Sequence, residues 1–301
     1  DWSSDVCSSD LIGIMARHIM LNGTRMPSDS PCLKYDNRGL LWGDSFTIKL
    51  RGNSCRVYDF NNYFLCICKM AESIGLEPDE LFKPKIFAND LMLLLKQNRI
   101  YKEFCATITI FRNSTGTNKI TDTDTFSTLV SVESLPHEFY SINKDGIFTD
   151  VFDSSKLITE IANPNFSYEL ISGKILAEND LDDLIITDNN GNYRRSLYSD
   201  IFFLKDKSLI YASDPTSVSI NAIFSSRIMQ IASSKLGMEI YQSKVNQSKL
   251  KGVEGMFLAD PVNGIRWVVG LGRERFYSGM VNDIAYEVYN YYKEEIERLK
   301  G

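Results

Sequence analysis

The spacing of apolar and polar positions divides the chain into segments with different periods. HIMLNGTRM (18–26) alternates as a strand does and ends in polar turn residues. RGLLWGDSF (38–46) sets glycines around a bulky apolar group and predicts a tight turn leading into a strand at TIKLR (47–51). VYDFNNYFLCICKMAESIGL (57–76) places apolar residues at helical spacing and stops at Ile-Gly-Leu. A second helical region follows at 77–99, entered through acidic residues that suit a helix N-terminus. EFCATITIFRN (103–113) and STLVSVES (127–134) read as strands joined by a polar stretch of Thr, Asn and Asp.

The second half repeats this mixture in another order. A strand is expected near 147–152, then an amphipathic helix over 166–179 with Pro164 near its first turn. LIITD, the turn DNNGN, IFFLKD and SLIYASD predict a meander of short strands. A helix over 219–238 ends at Gly237, strands at 255–260 and 264–271 flank the turn PVNG, and a helix spans 278–300. The aromatic residues of that last helix, Tyr286, Tyr289, Tyr291 and Tyr292, are expected mainly in the core. The domain pattern expected is a small α+β domain over 15–134, a linker at 135–142 and a larger α/β domain over 143–300.

Composition narrows the class of partner. The chain has 301 residues, 44% of them hydrophobic, which favours two domains, and no apolar run long enough to span a bilayer. DWSSDVCSSDL (1–11) reads as a translated sequencing-library adapter, so the native start is expected at Met15 or Met20. Leaving out Asp1, Asp5 and Asp10 moves the formal charge from −6 to −3, with no basic stripe for nucleic acid. Outside that segment stand Cys32, Cys55, Cys66, Cys68 and Cys105, an odd set that argues for a reducing cytoplasm rather than a disulfide framework. Cys66 and Cys68 read as small core hydrophobes and not as metal ligands, since the chain has only His18 and His137 to join them. DNNG (188–191) lacks the ligand series of a calcium loop and reads as a hairpin turn.

Several phrases together resemble the class IV aminotransferases, the fold-type IV family of pyridoxal-phosphate enzymes. That family includes branched-chain aminotransferases, D-amino-acid transaminases and aminodeoxychorismate lyases. MLNGTRMP followed by DNRGLLWGDSF is similar to the family's asparagine-glycine strand and its RGF-x-YGD-x-x-F turn. ITIFRN resembles the central strand of the small domain, and DDLIITDNNGNYRRSLYSDIFFLKDKSLIYASD the family's DEALLLN-x-x-G-x-V-x-E segment. GMFLADPVNGIRWVVGL resembles the closing strand-turn-strand, so the likeness runs through nearly the whole chain after residue 11.

In that register the resemblance implies a degenerate cofactor site. The family's lysine motif I-K-T-L-N falls on Ile161–Asn165; Asn165 persists, but the Schiff-base lysine position is Ala162. The glutamate that pairs with the pyridine nitrogen falls on Arg195, whose guanidinium would repel a pyridinium. The phosphate-binding arginine falls on Cys66, the G-I-T turn on Ala222, Ile223 and Phe224, and the later phosphate-binding threonine on Pro261. Lys156 and Lys174 are the nearest displaced amines, and both read as solvated surface residues.

The expectation is therefore a homodimeric family member that has lost pyridoxal phosphate and catalysis and serves as a binding or structural protein. Arg195, with Arg266 and Arg273 as candidates to join it, would form an anion pocket for a small anionic metabolite. The alternatives are an active aminotransferase or 4-amino-4-deoxychorismate lyase, or a different chemistry in the same cleft.

Overall fold

The computed structural model describes residues 17–80, 82–114, 124–135, 140, 143, 145–153, 164–212 and 219–300; side chains are described outside 153–171 and 299–300. The chain divides into two compact units, residues 1–64 with 71–138, and residues 65–70 with 139–301.

The first unit opens with a hairpin of β1 (His18–Leu21) and β2 (Thr24–Pro27). Its turn residues Asn22 and Gly23 have φ of 48° and 79°, the left-handed pair that a right-twisted two-residue hairpin requires. RGLLW is a short helix, α1 (Arg38–Trp42), rather than the expected plain turn: the Asn37 side chain accepts from the Leu40 N–H and Gly43 closes it at φ 63°. There follow β3 (Ser45–Asn53), β4 (Arg56–Val57), α2 (Phe60–Ser73), β5 (Leu76–Glu77), α3 (Pro84–Gln97), β6 (Phe104–Arg112) and β7 (Asp124–Ser134). The helix expected from 77, α3, begins at Pro84, seven residues later, because proline fits the first turn and cannot serve further in.

The sheet order is β2-β1-β7-β6-β3-β4, with β5 beside β7. Phe64, Phe82, Phe87 and Phe126 pack on its helical side, with Phe82 4.6 Å from Phe64 and 4.9 Å from Phe126 between ring centres. Asp44, at the end of the RGLLWGD stretch, accepts from the Nε of both Arg38 (3.0 Å) and Arg112 (2.9 Å) and so ties α1 to β6.

The second unit contains β8 (Ile147–Asp153), α4 (Pro164–Asn179), β9 (Asp183–Thr187), β10 (Tyr193–Ser196), β11 (Asp200–Lys205), β12 (Ser208–Tyr211), α5 (Asn221–Leu236), β13 (Glu239–Gln242), β14 (Gly255–Asp260), β15 (Gly264–Leu271), β16 (Glu274–Arg275) and α6 (Met280–Lys300). The order is β10-β9-β8-β15-β14-β11-β12-β13, with β16 on β15. β10 turns back beside β11 through Leu197–Ser199, where the Ser196 N–H donates to the Ser199 carbonyl at 2.8 Å.

The strands from β10 to β11 thus enclose one interior. Ile147, Ile185, Tyr193, Ile201, Phe203, Met256, Leu258 and Val268 meet there, each at every second position of its strand. The intervening residues face outward: Leu184 and Ile186 meet Ile175 and Leu176 of α4. Phe202 stacks on Phe257 at 4.8 Å.

α5 buries Phe224, Ile228 and Ile231, and α6 buries Val281, Ile284, Val288 and Tyr292, both at helical spacing. Of the four tyrosines expected mainly in the core, only Tyr292 is buried; Tyr289 and Tyr291 are half-buried and Tyr286 is 63% exposed. The helical stripe runs through Val281, Ile284, Val288 and Tyr292, and Tyr286 lies on the opposite side.

Candidate functional site

The positions singled out from the sequence are distributed unevenly. Ala162 and Lys156 lie outside the described residues. Lys174 is exposed on α4, 3.7 Å from Glu178 one helical turn on. Arg273 is exposed in the turn after β15.

Ala222, Ile223 and Phe224 form the first turn of α5, just after its N-cap residue Ile220. At this helix start the Asn221 N–H donates to the Ser219 hydroxyl, the Ala222 N–H to the Ser219 carbonyl and the Ile223 N–H to the Ile220 carbonyl. Phe224 is fully buried, with ring centres 5.1 Å from Tyr140 and 6.0 Å from Tyr292. The Tyr140 hydroxyl donates to the Pro261 carbonyl oxygen at 2.8 Å. One buried phenol therefore bridges both segments at which the resemblance places phosphate contacts. Gly264, at φ 75°, has the Tyr140 ring pressed against the space a side chain would need.

Beside Pro261 lies a polar network that the sequence reading did not single out. Asp183, Asp200 and Asp260 head or end apolar strands, and each is at most 4% exposed. Asp183 Oδ2 accepts from Arg266 Nη2 at 2.5 Å and from the Ser196 hydroxyl at 3.1 Å. Arg266 also reaches the Ser199 hydroxyl at 3.0 Å, and that hydroxyl donates to Asp260 Oδ2 at 2.8 Å. Asp260 Oδ1 accepts from the backbone N–H of Val262 and Asn263 at 2.9 and 2.8 Å. Asp200 accepts from the Tyr211 and Ser225 hydroxyls at 2.6 and 2.7 Å. Buried carboxylates are kept only when bonded in this way.

Arg195 stands on the exposed face of β10, its Nη1 donating to the Leu197 carbonyl at 2.8 Å. Burial raises the Asp200 carboxyl above its ordinary value; the two hydroxyls and Arg195 oppose that rise and Asp260 reinforces it. Arg266 does not join Arg195 but serves Asp183, inside the strand-enclosed interior. Cys66 is half-buried on α2, and burial raises its thiol, against a smaller lowering by Lys69. A thiol raised in this way is neutral near pH 7 and offers no forked cation.

A cavity of about 480 Å³ lies elsewhere, at the tip of the β9–β10 hairpin, with Val151, Thr187, Asp188, Tyr193 and Gln247 among its walls. The Tyr193 hydroxyl donates to Gln247 there at 2.8 Å, and burial with a contribution from Glu274 pushes its pKa up to about 12. It does not serve as a base near neutrality. The cavity is lined by Asp188, Asn189 and Gly191 of the DNNG turn and by none of the positions that the resemblance assigns to the cofactor. Among the described residues no group of three or more His, Cys, Asp or Glu is placed to hold a metal.

Comparison with solved structures gives matches along nearly the whole chain. A branched-chain amino acid aminotransferase (T.th.) complexed with N-(5'-phosphopyridoxyl)-L-glutamate superimposes with a TM-score of 0.75 at 12% identity, covering 91% of this chain and 93% of its own. The chain has the class IV aminotransferase fold. The fold IV transaminase CpuTA1 of Curtobacterium pusillum matches at 0.73 and 14% identity, covering 92% and 99%. A putative 4-amino-4-deoxychorismate lyase of Legionella pneumophila matches at 0.70 and 13%, covering 86% and 95%. No family model and no curated protein matches the chain by sequence.

One of these neighbours carries a phosphopyridoxyl group, and in the register of the resemblance its phosphate would face the start of α5 and Pro261. A phosphate dianion needs several donors. In that register the Ala222 and Ile223 N–H groups bond the Ser219 and Ile220 carbonyls, Phe224 is buried, and Pro261 has neither N–H nor hydroxyl. The Val262 and Asn263 amides that follow are taken by the Asp260 carboxylate.

Proposed function

We propose that this chain is a class IV aminotransferase relative that has lost pyridoxal phosphate and transamination, and acts as a binding or structural protein. The observation that carries this reading is Tyr140, whose ring packs on Phe224 while its hydroxyl bonds Pro261. In the register of the resemblance, an aromatic side chain and a carbonyl acceptor stand at the positions of the phosphate contacts, which supports the reading. Ala162, at the position of the Schiff-base lysine in the register of the resemblance, adds support from the sequence.

The test is direct. Purified protein incubated with pyridoxal phosphate and reduced with borohydride is expected to stay colourless and to gain no adduct mass. A reduced phosphopyridoxyl group on any lysine would overturn the proposal. It would favour the second reading, an active aminotransferase or 4-amino-4-deoxychorismate lyase, which the fold by itself supports.

Two interactions belong to the same proposal. A homodimer is supported by the exposed apolar residues Tyr35, Leu40, Leu41 and Trp42, which are 85%, 58%, 50% and 48% exposed within one short stretch. Light scattering should then give twice the chain mass. A small anionic metabolite at Arg195 is supported by the exposure of that guanidinium, which has one bond to a carbonyl. We also place the protein in the cytoplasm, on its free cysteines. No helix among the described residues is long and apolar enough to cross a membrane.

A further inference from the structure

The chain contains three Asn-Gly pairs, at 22–23, 190–191 and 263–264. Such pairs are chemically labile because the glycine nitrogen, with no Cβ beside it, can attack the asparagine side-chain carbonyl carbon. A new C–N bond forms, the old amide C–N bond breaks, and ammonia leaves with the proton from the attacking nitrogen. Water then opens the resulting five-membered imide at either carbonyl, giving aspartate or isoaspartate. The reaction requires the side-chain amide to swing over the next backbone nitrogen, and the backbone to leave its turn.

The fold treats the three pairs differently. Asn22 is held at both ends of its amide: Oδ1 accepts from the Thr128 N–H at 2.8 Å and Nδ2 donates to the Ser127 hydroxyl at 3.0 Å. Asn263 donates from Nδ2 to both oxygens of Asp260, at 3.2 and 3.1 Å, and its backbone N–H donates to the same carboxylate at 2.8 Å. Gly264 is walled by the Tyr140 ring.

Asn190 is exposed, and only its backbone N–H is engaged, with Asp188 Oδ1 at 2.9 Å. Around Gly191 a Cβ would meet nothing within 4 Å. The single restraint on the Gly191 nitrogen is a bond to the Asp188 carbonyl at 2.9 Å, in an exposed turn.

We propose that Asn190 is a spontaneous deamidation site of the folded protein, while Asn22 and Asn263 are protected by the fold. Conversion places a second carboxylate two residues from Asp188, between Asn189 and Gly191, which line the hairpin cavity. The isoaspartyl form also inserts a methylene into the backbone of the β9–β10 turn.

The experiment is peptide mapping of the intact protein by mass spectrometry after incubation at mildly alkaline pH, with and without urea. In the folded protein Asn190 should convert roughly tenfold or more faster than either of the other two, the difference set by local opening. In urea the three rates should converge. Asn190→Gln should abolish conversion at that position and leave the slow rates at Asn22 and Asn263 unchanged. A folded protein in which Asn190 converts no faster than Asn22 or Asn263 overturns the proposal.

Discussion

The Tyr140 hydroxyl lies 2.8 Å from the Pro261 carbonyl oxygen, joining residues 121 apart in the chain. Its ring simultaneously covers Phe224. Tyr140→Phe keeps the ring contacts and strands a buried acceptor, so it should cost about 1–2 kcal/mol in denaturant unfolding. Phe224→Thr, which places a hydroxyl where the resemblance expects one, should cost about 3 kcal/mol from the cavity it leaves. It should still trap no pyridoxal phosphate. Trapping by Phe224→Thr alone would show that one aromatic ring is the whole obstacle.

The Asp183–Arg266 pair should be costly to break from either side. Arg266→Met removes the cation and leaves Asp183, 2% exposed, with neutral donors only. A loss of about 3 kcal/mol is expected, because an uncompensated buried carboxylate remains. Asp183→Asn combined with Arg266→Met should recover part of that loss. Double-variant stability no better than Arg266→Met alone would assign the cost to lost arginine packing.

Asp200 gives a pH dependence of definite sign. Its folded pKa lies above its ordinary value of 3.8, chiefly through burial. Its contribution to stability is therefore present in full below the unfolded value and is lost as pH rises through the folded one. Asp200→Asn has no such titration, so wild-type stability relative to this variant should fall as pH rises from below 3.8 toward neutrality. A relative stability that rises with pH would mean that the hydroxyls of Tyr211 and Ser225 outweigh burial.

In the β3–β4 hairpin, Ser54 and Cys55 hold φ of 50° and 63°, positions where Asn-Gly is preferred. Cys55→Gly should raise stability by up to about 1 kcal/mol, read as a higher Tm. A lower Tm would mean that the Cys55 thiol contact with the Ile100 carbonyl, 3.7 Å away, is worth more than the strain.

Turn chemistry made much of the fold legible in the sequence. The DNNGN hairpin and the αL cap at Gly237 sit where their residues predict, whereas HIMLNGTRM, read as one strand over 18–26, is a hairpin that turns at Asn22-Gly23. α1 was missed because five residues carry no period, though its N-cap Asn37 was a usable signal. β13 was missed because its edge position leaves Glu239 and Tyr241 exposed, so it lacks an apolar pattern.

The candidate site was half legible. The substitutions at Phe224 and Pro261 were visible as letters, but Tyr140 lay in a stretch read as linker and gains its role only through distant contacts. Aspartates heading or ending DLIIT, DIFFLK and GMFLAD are a signal for a buried polar layer, since a charge beside a continuous apolar strand needs a partner.

The pairing of β8 with β15 has a bearing on biosynthesis. Thr149 donates to the carbonyl of Gly270, 121 positions downstream, and β8 is flanked by β9 on its other side. Until the ribosome has made residues 264–271, one apolar strand edge stands open to other nascent chains. Long-range closure of this kind is slow and leaves adhesive surface exposed in partly made protein.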